Sequence, residues 1–355
     1  MRYKNKFQVF KDYILKSLSY HLNYPLVKPE RINLATTFKC PLNCEMCALE
    51  EDDEKEEMVE EDWEELIDQI VNWGIRHVSF SGGETLSDEE KTVSLMGYAK
   101  EKGLEIDLIT NGFFMDEKTT KKIIETGVDR ISLSVDGHNR KTHDSVRGEG
   151  SFEKIERAIE NMNRHRDLAD HIEYEFTTVV LKKNYKNLVS IYEFMKENGF
   201  DFINYQALIP DNSFSNGQDY NDELWLDGEE AEKLERITQE LIEIKKETGD
   251  IRNSKKYLRV MPEYFKNKDD FRYGKCMAGY EVVHIDPYGN IDLCGFGPNI
   301  NVRNKKLKEV WRGDDYRMLR KKVKKCEKPC LLLCYRKLDL EDMYRTHVES
   351  MLDGI

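Results

Sequence analysis

The chain has 355 residues, 39% hydrophobic and 10% aromatic, enough for a main domain of about 200–250 residues and a smaller module. Its net charge of −13 excludes a nucleic-acid binder, which needs a basic surface to displace counterions. Eight cysteines without an export signal point to the cytoplasm and to metal chemistry rather than to structural disulfides.

Residues 1–30 form an N-terminal extension. Phe7, Phe10, Ile14, Leu18 and Leu22 recur at helical spacing. Lys11, Asp12 and Lys16 interrupt the run, so it is neither a membrane span nor a signal peptide. The pattern predicts a helix packed on the main domain. Seven Lys/Arg against two acids in residues 1–31 also leave room for peripheral contact with an anionic membrane.

From residue 31 short apolar runs alternate with amphipathic stretches. Strands are expected over 31–38, 76–82, 104–110, 129–135, 171–181 and 200–209. Helices are expected near 59–73, 87–102, 116–126, 151–166 and 184–198, with Gly74, Gly103, Gly127 and Gly199 as C-caps. The strand runs are apolar enough to be covered on both faces. Six strands with helical crossovers pair in parallel, as a partial (β/α)6 TIM-like barrel or a doubly wound sheet. Either places chemistry at the C-terminal edge. Thirteen acids and one lysine between Glu50 and Asp68 read as a solvated loop entering a helix N-terminus. A polar loop then leads into a helical linker, 211–274, with helices at about 227–248 and 253–265, the second broken at Pro262. Residues 275–355 are turn-rich and carry five cysteines: a hairpin turning at Pro287 and Gly289, then helices over 313–325 and 336–352.

The chemistry concentrates in CPLNCEMC, where Cys40, Cys44 and Cys47 follow the first strand. Four thiolates close a metal site. Three on a cubane leave one iron open for a ligand, as an open position separates catalytic from structural zinc. This CxxxCxxC, with GGE at 82–84 one strand later, resembles the signature of the radical S-adenosylmethionine (SAM) superfamily. The resemblance implies that SAM chelates the open iron. It is then reductively cleaved to a 5′-deoxyadenosyl radical that takes a hydrogen atom from the substrate.

By resemblance, Gly82, Gly83 and Glu84 hold the methionine amino group. Asn111, in LITNG, shares that edge. Ser134 and Asp136 face the ribose and methionine moiety, Arg147 pairs with the SAM carboxylate and Met46 packs against adenine. Cys276, Gly289 and Cys294, then CEKPCLLLC, resemble the SPASM/Twitch extension of that family, a small C-terminal Fe-S module. Cys276, Cys294 and Cys334, with Cys330 or Cys326, imply one auxiliary [4Fe–4S] cluster and a spare thiol. The branch implies a reducing partner such as flavodoxin or ferredoxin and a peptide or small-molecule substrate. Modification of a ribosomally made peptide leads. Oxidation or decarboxylation of a tetrapyrrole, sugar or lipid-linked substrate stays open. A zinc-bearing protein without catalysis is the alternative of another class. No histidine has metal-ligand spacing, and packed or solvated histidine is the expectation for His138, His143 and His284.

Overall fold

The computed structural model describes residues 6–337, except 48, 50–53, 169–170, 210–221, 269, 295, 297–299, 304 and 333–335. The chain opens with α1 (Lys6–Leu22). It continues through β1 (Arg31–Thr37), α2 (Glu60–Asn72), β2 (His77–Gly82), α3 (Glu89–Glu101), β3 (Glu105–Thr110), α4 (Glu117–Glu125) and β4 (Arg130–Ser134). Then come α5 (Arg140–Arg147), α6 (Ser151–Arg164), β5 (Glu173–Val180), α7 (Leu188–Glu197) and β6 (Phe202–Ala207). Two helices follow, α8 (Gly228–Thr248) and α9 (Lys255–Lys266), before β7 (Lys275–Cys276), β8 (Val282–Ile285), β9 (Asn290–Asp292) and β10 (Ile300–Asn301). The last elements are α10 (Leu307–Arg312), α11 (Asp314–Lys324) and β11 (Arg336–Lys337).

Strands β1 to β6 pair in sequence order and in parallel. The architecture is α/β with a TIM-like partial barrel that does not close. Helix starts follow local chemistry: Asp88, Asp116 and Asn139 each accept a bond from a backbone N–H three residues on, at α3, α4 and α5. The four expected C-cap glycines all have positive φ, between 72° and 79°.

The strands alternate, contrary to the doubly apolar reading. One face holds Ile32, Leu34, Val78, Phe80, Ile106, Leu108, Ile131, Leu133 and Phe176, all fully buried. The inner face is polar and cross-linked. His77 Nε2 contacts Asp107 at 2.8 Å, Ser132 donates to Glu175 at 3.2 Å, and Arg130 bridges Asp107, Glu173 and Glu175. Short apolar runs hide this because one buried Asp or Glu per strand scarcely alters their composition.

The expected hairpin is present: β8 and β9 are antiparallel, and Asp286 accepts from the backbone of Tyr288 and Asn290 across its turn. It also joins the main sheet, because β8 pairs in parallel with β1. At the opposite sheet edge, the Leu331 carbonyl accepts from Gln206 and from the Tyr257 hydroxyl. The cysteine-bearing C-terminal segment thus reaches from the β1 edge to the β6 edge. The α8–α9 segment packs as well: Asn253 bonds the backbone of Tyr205 on both sides, at 2.8 and 2.7 Å.

Three local expectations change. Helix α9 runs through Pro262 unbroken, because Tyr257, Leu258, Met261, Pro262, Tyr264 and Phe265 are all buried and packing outweighs one missing N–H. Arg147 ends α5, a helix absent from the expected elements between 135 and 151; eight residues are too few for periodicity to reveal. Residues 336–337 form a strand against β7, not the start of a helix, and the rest of that expected helix lies outside the described residues.

Candidate active site

The site grows from the C-terminal ends of β1 to β4. After Thr37 the chain leaves the sheet and places Cys40, Cys44 and Cys47 in the next loop. Cys44 is buried, whereas Cys40 and Cys47 are exposed, and none is in a disulfide. The Cys47 N–H donates to the Cys44 carbonyl at 3.0 Å, which turns the loop tightly.

Gly82 and Gly83 explain how β2 fits beneath this loop. A Cβ on Gly82 would lie 2.2 Å from the Thr37 carbonyl oxygen. One on Gly83 would lie 2.4 Å from that of Phe38. The Gly83 and Glu84 N–H groups instead donate to the carbonyls of Thr37 and Lys39, both at 2.8 Å. The glycines therefore bring the protein's own cysteine loop close to β2.

Glu84 is fully buried and turned inward. Its carboxylate accepts from Thr110 Oγ1 at 2.7 Å, the Asn111 N–H at 2.7 Å and the Leu86 N–H at 3.1 Å. Burial raises its pKa although those three donors pull it down. It ties β2 to the end of β3 and so fixes Asn111, whose side-chain N–H2 donates to Cys40 Sγ at 3.6 Å.

Asp136 and Arg147 come together beside the cysteines. Arg147 Nε donates to Asp136 Oδ2 at 2.6 Å, and the other carboxylate oxygen accepts from the Val179 N–H at 2.7 Å. Burial opposes the charge on Arg147, but Asp136 more than offsets this and holds its pKa above the ordinary arginine value. The Arg147 carbonyl accepts from Cys44 Sγ at 3.9 Å. Among the described residues no protein acceptor engages the two terminal nitrogens of Arg147. Its fork remains available to an anion.

Ser134 is half-buried on the inner face, and Met46 is buried with 9% of its surface exposed. Burial pushes the Cys44 thiol up to about 11, against the pull of Arg147, and raises Cys40 as well. A bound metal cation reverses that preference, because coordinating thiols are deprotonated. Three free thiols on a short loop, with the open terminal nitrogens of Arg147 beside them, fit a cluster that also takes an anionic ligand.

Two supporting residues carried no motif. Asn184 donates to the carbonyls of Asp136 and Val179, and His143 Nδ1 accepts from the Asp136 N–H at 3.3 Å. His143 is fully buried, and burial with the nearby Arg147 charge brings its pKa down to about 3. His143 and His284 are packed, as expected of them. In the C-terminal module, Cys276 lies on β7, Cys326 closes the end of α11 and Cys330 Sγ accepts from the Leu332 N–H at 3.4 Å. Cys294 follows β9 with φ of 56°, a left-handed conformation that non-glycine residues rarely hold. Cys334 lies outside the described residues.

Comparison with known proteins decides the family. The radical SAM superfamily profile matches residues 34–195, and an iron-sulfur cluster-binding domain of the SPASM type matches residues 276–335. The chain belongs to the radical SAM superfamily. It is an enzyme of the SPASM-bearing branch, and its cofactors are SAM, a [4Fe–4S] cluster and an auxiliary iron–sulfur cluster. An AdoMet-dependent heme synthase of Methanosarcina barkeri (strain Fusaro / DSM 804) is 26% identical over 311 residues, covering 82% of this chain and 85% of that protein. An Fe-coproporphyrin III synthase of the same organism is 30% identical over 176 residues, 49% of this chain and 42% of that one. Among solved structures, Streptococcus suis SuiB bound to S-adenosylmethionine aligns with a TM-score of 0.67 at 19% identity, covering 91% and 77% of the two chains. Native anSMEcpe with bound AdoMet gives 0.62 at 20%, covering 92% and 98%. At such identities the likeness is one of fold. No helix among the described residues is long and apolar enough to cross a membrane.

Proposed function

We propose that this radical SAM enzyme oxidises a substrate C–H bond at the mouth of the partial barrel, between the Cys40–Cys44–Cys47 loop and the C-terminal cysteine segment. The supporting observation is the open guanidinium fork of Arg147, pinned by Asp136 beside Cys44. When bound, the cluster and SAM supply hydrogen-atom abstraction, started by one-electron reductive cleavage of the sulfonium.

The chain's own residues bind and orient. Cys40, Cys44 and Cys47 hold the cluster, and Arg147 takes the SAM carboxylate. Asp136 keeps the Arg147 fork aimed, so it acts through Arg147. Ser134 offers a hydroxyl to the ribose and methionine moiety, and Met46 packs against adenine. Gly82, Gly83 and Glu84 present the end of β2 to the amino group, while Asn111 hydrogen-bonds the Cys40 sulfur. Cys276, Cys294 and Cys334, with Cys330 or Cys326, hold one auxiliary cluster. Residues 31–210 carry the first centre and 275–355 the second. The chain accepts electrons from a flavodoxin or ferredoxin.

For the substrate, the relatives named for heme synthesis align with most of this chain, whereas the neighbour solved with a bound precursor peptide shares fold alone. We therefore place a carboxylate-bearing tetrapyrrole ahead of a peptide. The test is anaerobic incubation of the reconstituted protein with dithionite and SAM, with and without iron coproporphyrin III. Deoxyadenosine that rises with the porphyrin, alongside loss of carboxyl carbon from it, is expected. Absence of deoxyadenosine overturns the enzymatic reading. Deoxyadenosine without change to the porphyrin overturns only the substrate.

A further inference from the structure

Helix α1 is mounted with its polar side inward. Lys16 enters the body, bonding Glu30 at 2.6 Å and Glu281 at 3.0 Å. Burial works against its charge, but Glu281 and Glu30 outweigh it and raise its pKa. The neighbouring Asn23 donates to the Arg317 carbonyl and accepts from the Tyr280 hydroxyl. The apolar residues that should have been hidden face solvent. Ile14, Leu18 and Leu22 are 40%, 44% and 58% exposed and four residues apart, so they form one row. Tyr24 and Leu26 extend it, at 42% and 41%.

A basic surface flanks that row. Lys324 of α11 sits over the Tyr20 ring at 4.5 Å, which sets α11 against α1. Residues 312–328 hold eight Lys/Arg against three acids, in a chain of net charge −13. Arg317, Lys321 and Lys325 are exposed there, with Met318 at 54%. Exposed apolar patches mark contact sites. The Asn23 bond to the Arg317 carbonyl puts α11 beside the Leu22 end of this row, while the remainder of the chain carries the net negative charge.

We propose that the α1–α11 face docks on an anionic phospholipid surface, with the Ile14–Leu18–Leu22 row entering the headgroup–acyl boundary and Arg317, Lys321 and Lys325 meeting lipid phosphates. The charge pattern selects this occupant. An anionic bilayer attracts this face and repels the others, which fixes orientation. A second copy meeting through the same face would set like charges against each other.

The test is flotation of the full, anaerobically reconstituted chain with phosphatidylcholine vesicles, with and without phosphatidylglycerol. The expected result is binding to the anionic vesicles alone, weakening with salt. The triple variant Ile14→Gln/Leu18→Gln/Leu22→Gln should weaken it by about tenfold or more. Lys321→Glu and Lys325→Glu, which leave the apolar row intact, should each weaken it by about fivefold. All sites are exposed, so melting temperature and iron content should not change. Failure to bind anionic vesicles overturns the proposal, as does undiminished binding by the triple variant. A dimer seen by light scattering, ignoring vesicles and broken by the triple variant, overturns it in favour of contact between copies.

Discussion

Arg147 is held through Nε and leaves its terminal nitrogens open. Arg147→Lys keeps the charge and loses the fork, so SAM affinity measured by equilibrium dialysis should fall about tenfold, with iron content unchanged. Gly83→Ala should instead cost iron loading, because its Cβ meets backbone oxygens of the cysteine loop at 2.4 and 2.5 Å. His143 gives the site a pH dependence. Its folded pKa, about 3, lies below the ordinary 6.5, so the unfolded chain takes up the proton first on acidification. Its stabilising contribution is complete above pH 6.5 and declines as pH falls towards 3. The slope is about 1.4 kcal/mol per pH unit, and urea midpoints of His143→Gln should show a shallower acid limb. The residues proposed for the SAM site are marked in the sequence by CxxxCxxC and GGE, and the motifs lie past the end of β1 and at the end of β2. Asn184 and His143 are not: Asn184 braces Asp136 from a distant segment, and His143, on the next helix, has no spacing that sets it apart from any packed histidine.

Among the elements, parallel β/α units declared themselves through period and glycine caps, and every expected strand from 31 to 210 is present. The helix α1 was legible as a helix, but its orientation was not. Apolar spacing marks a stripe without saying which side the body takes, and here Lys16 bonding Glu281 decides it. Near the end of the chain α11 carries another feature without a sequence signal. Arg320 is fully buried, stacked on Trp311 at 4.5 Å and Tyr316 at 4.4 Å, and donates to the carbonyls of Gly279 and Trp311. Burial brings its pKa down to about 10. A planar guanidinium can stack and donate at once, whereas an ammonium cannot. Arg320→Lys should therefore destabilise the chain by about 1–3 kcal/mol in chemical denaturation.

For the whole molecule, an anaerobic preparation should be brown and hold about eight irons, from two cubanes. Replacing Cys276 and Cys294 together should lower that to about four and leave SAM-dependent spectral changes in place. Sequence showed two cysteine groups but not their joinery. The pairing of β8 with β1 makes one continuous sheet of both halves, order β10-β9-β8-β1-β2-β3-β4-β5-β6. The C-terminal part is therefore no detachable cassette. A chain cut before Lys275 would leave β1 with a raw hydrogen-bonding border and uncovered apolar flank, a template for stacking onto other chains. Transplanting such a module between relatives means transplanting that border with it.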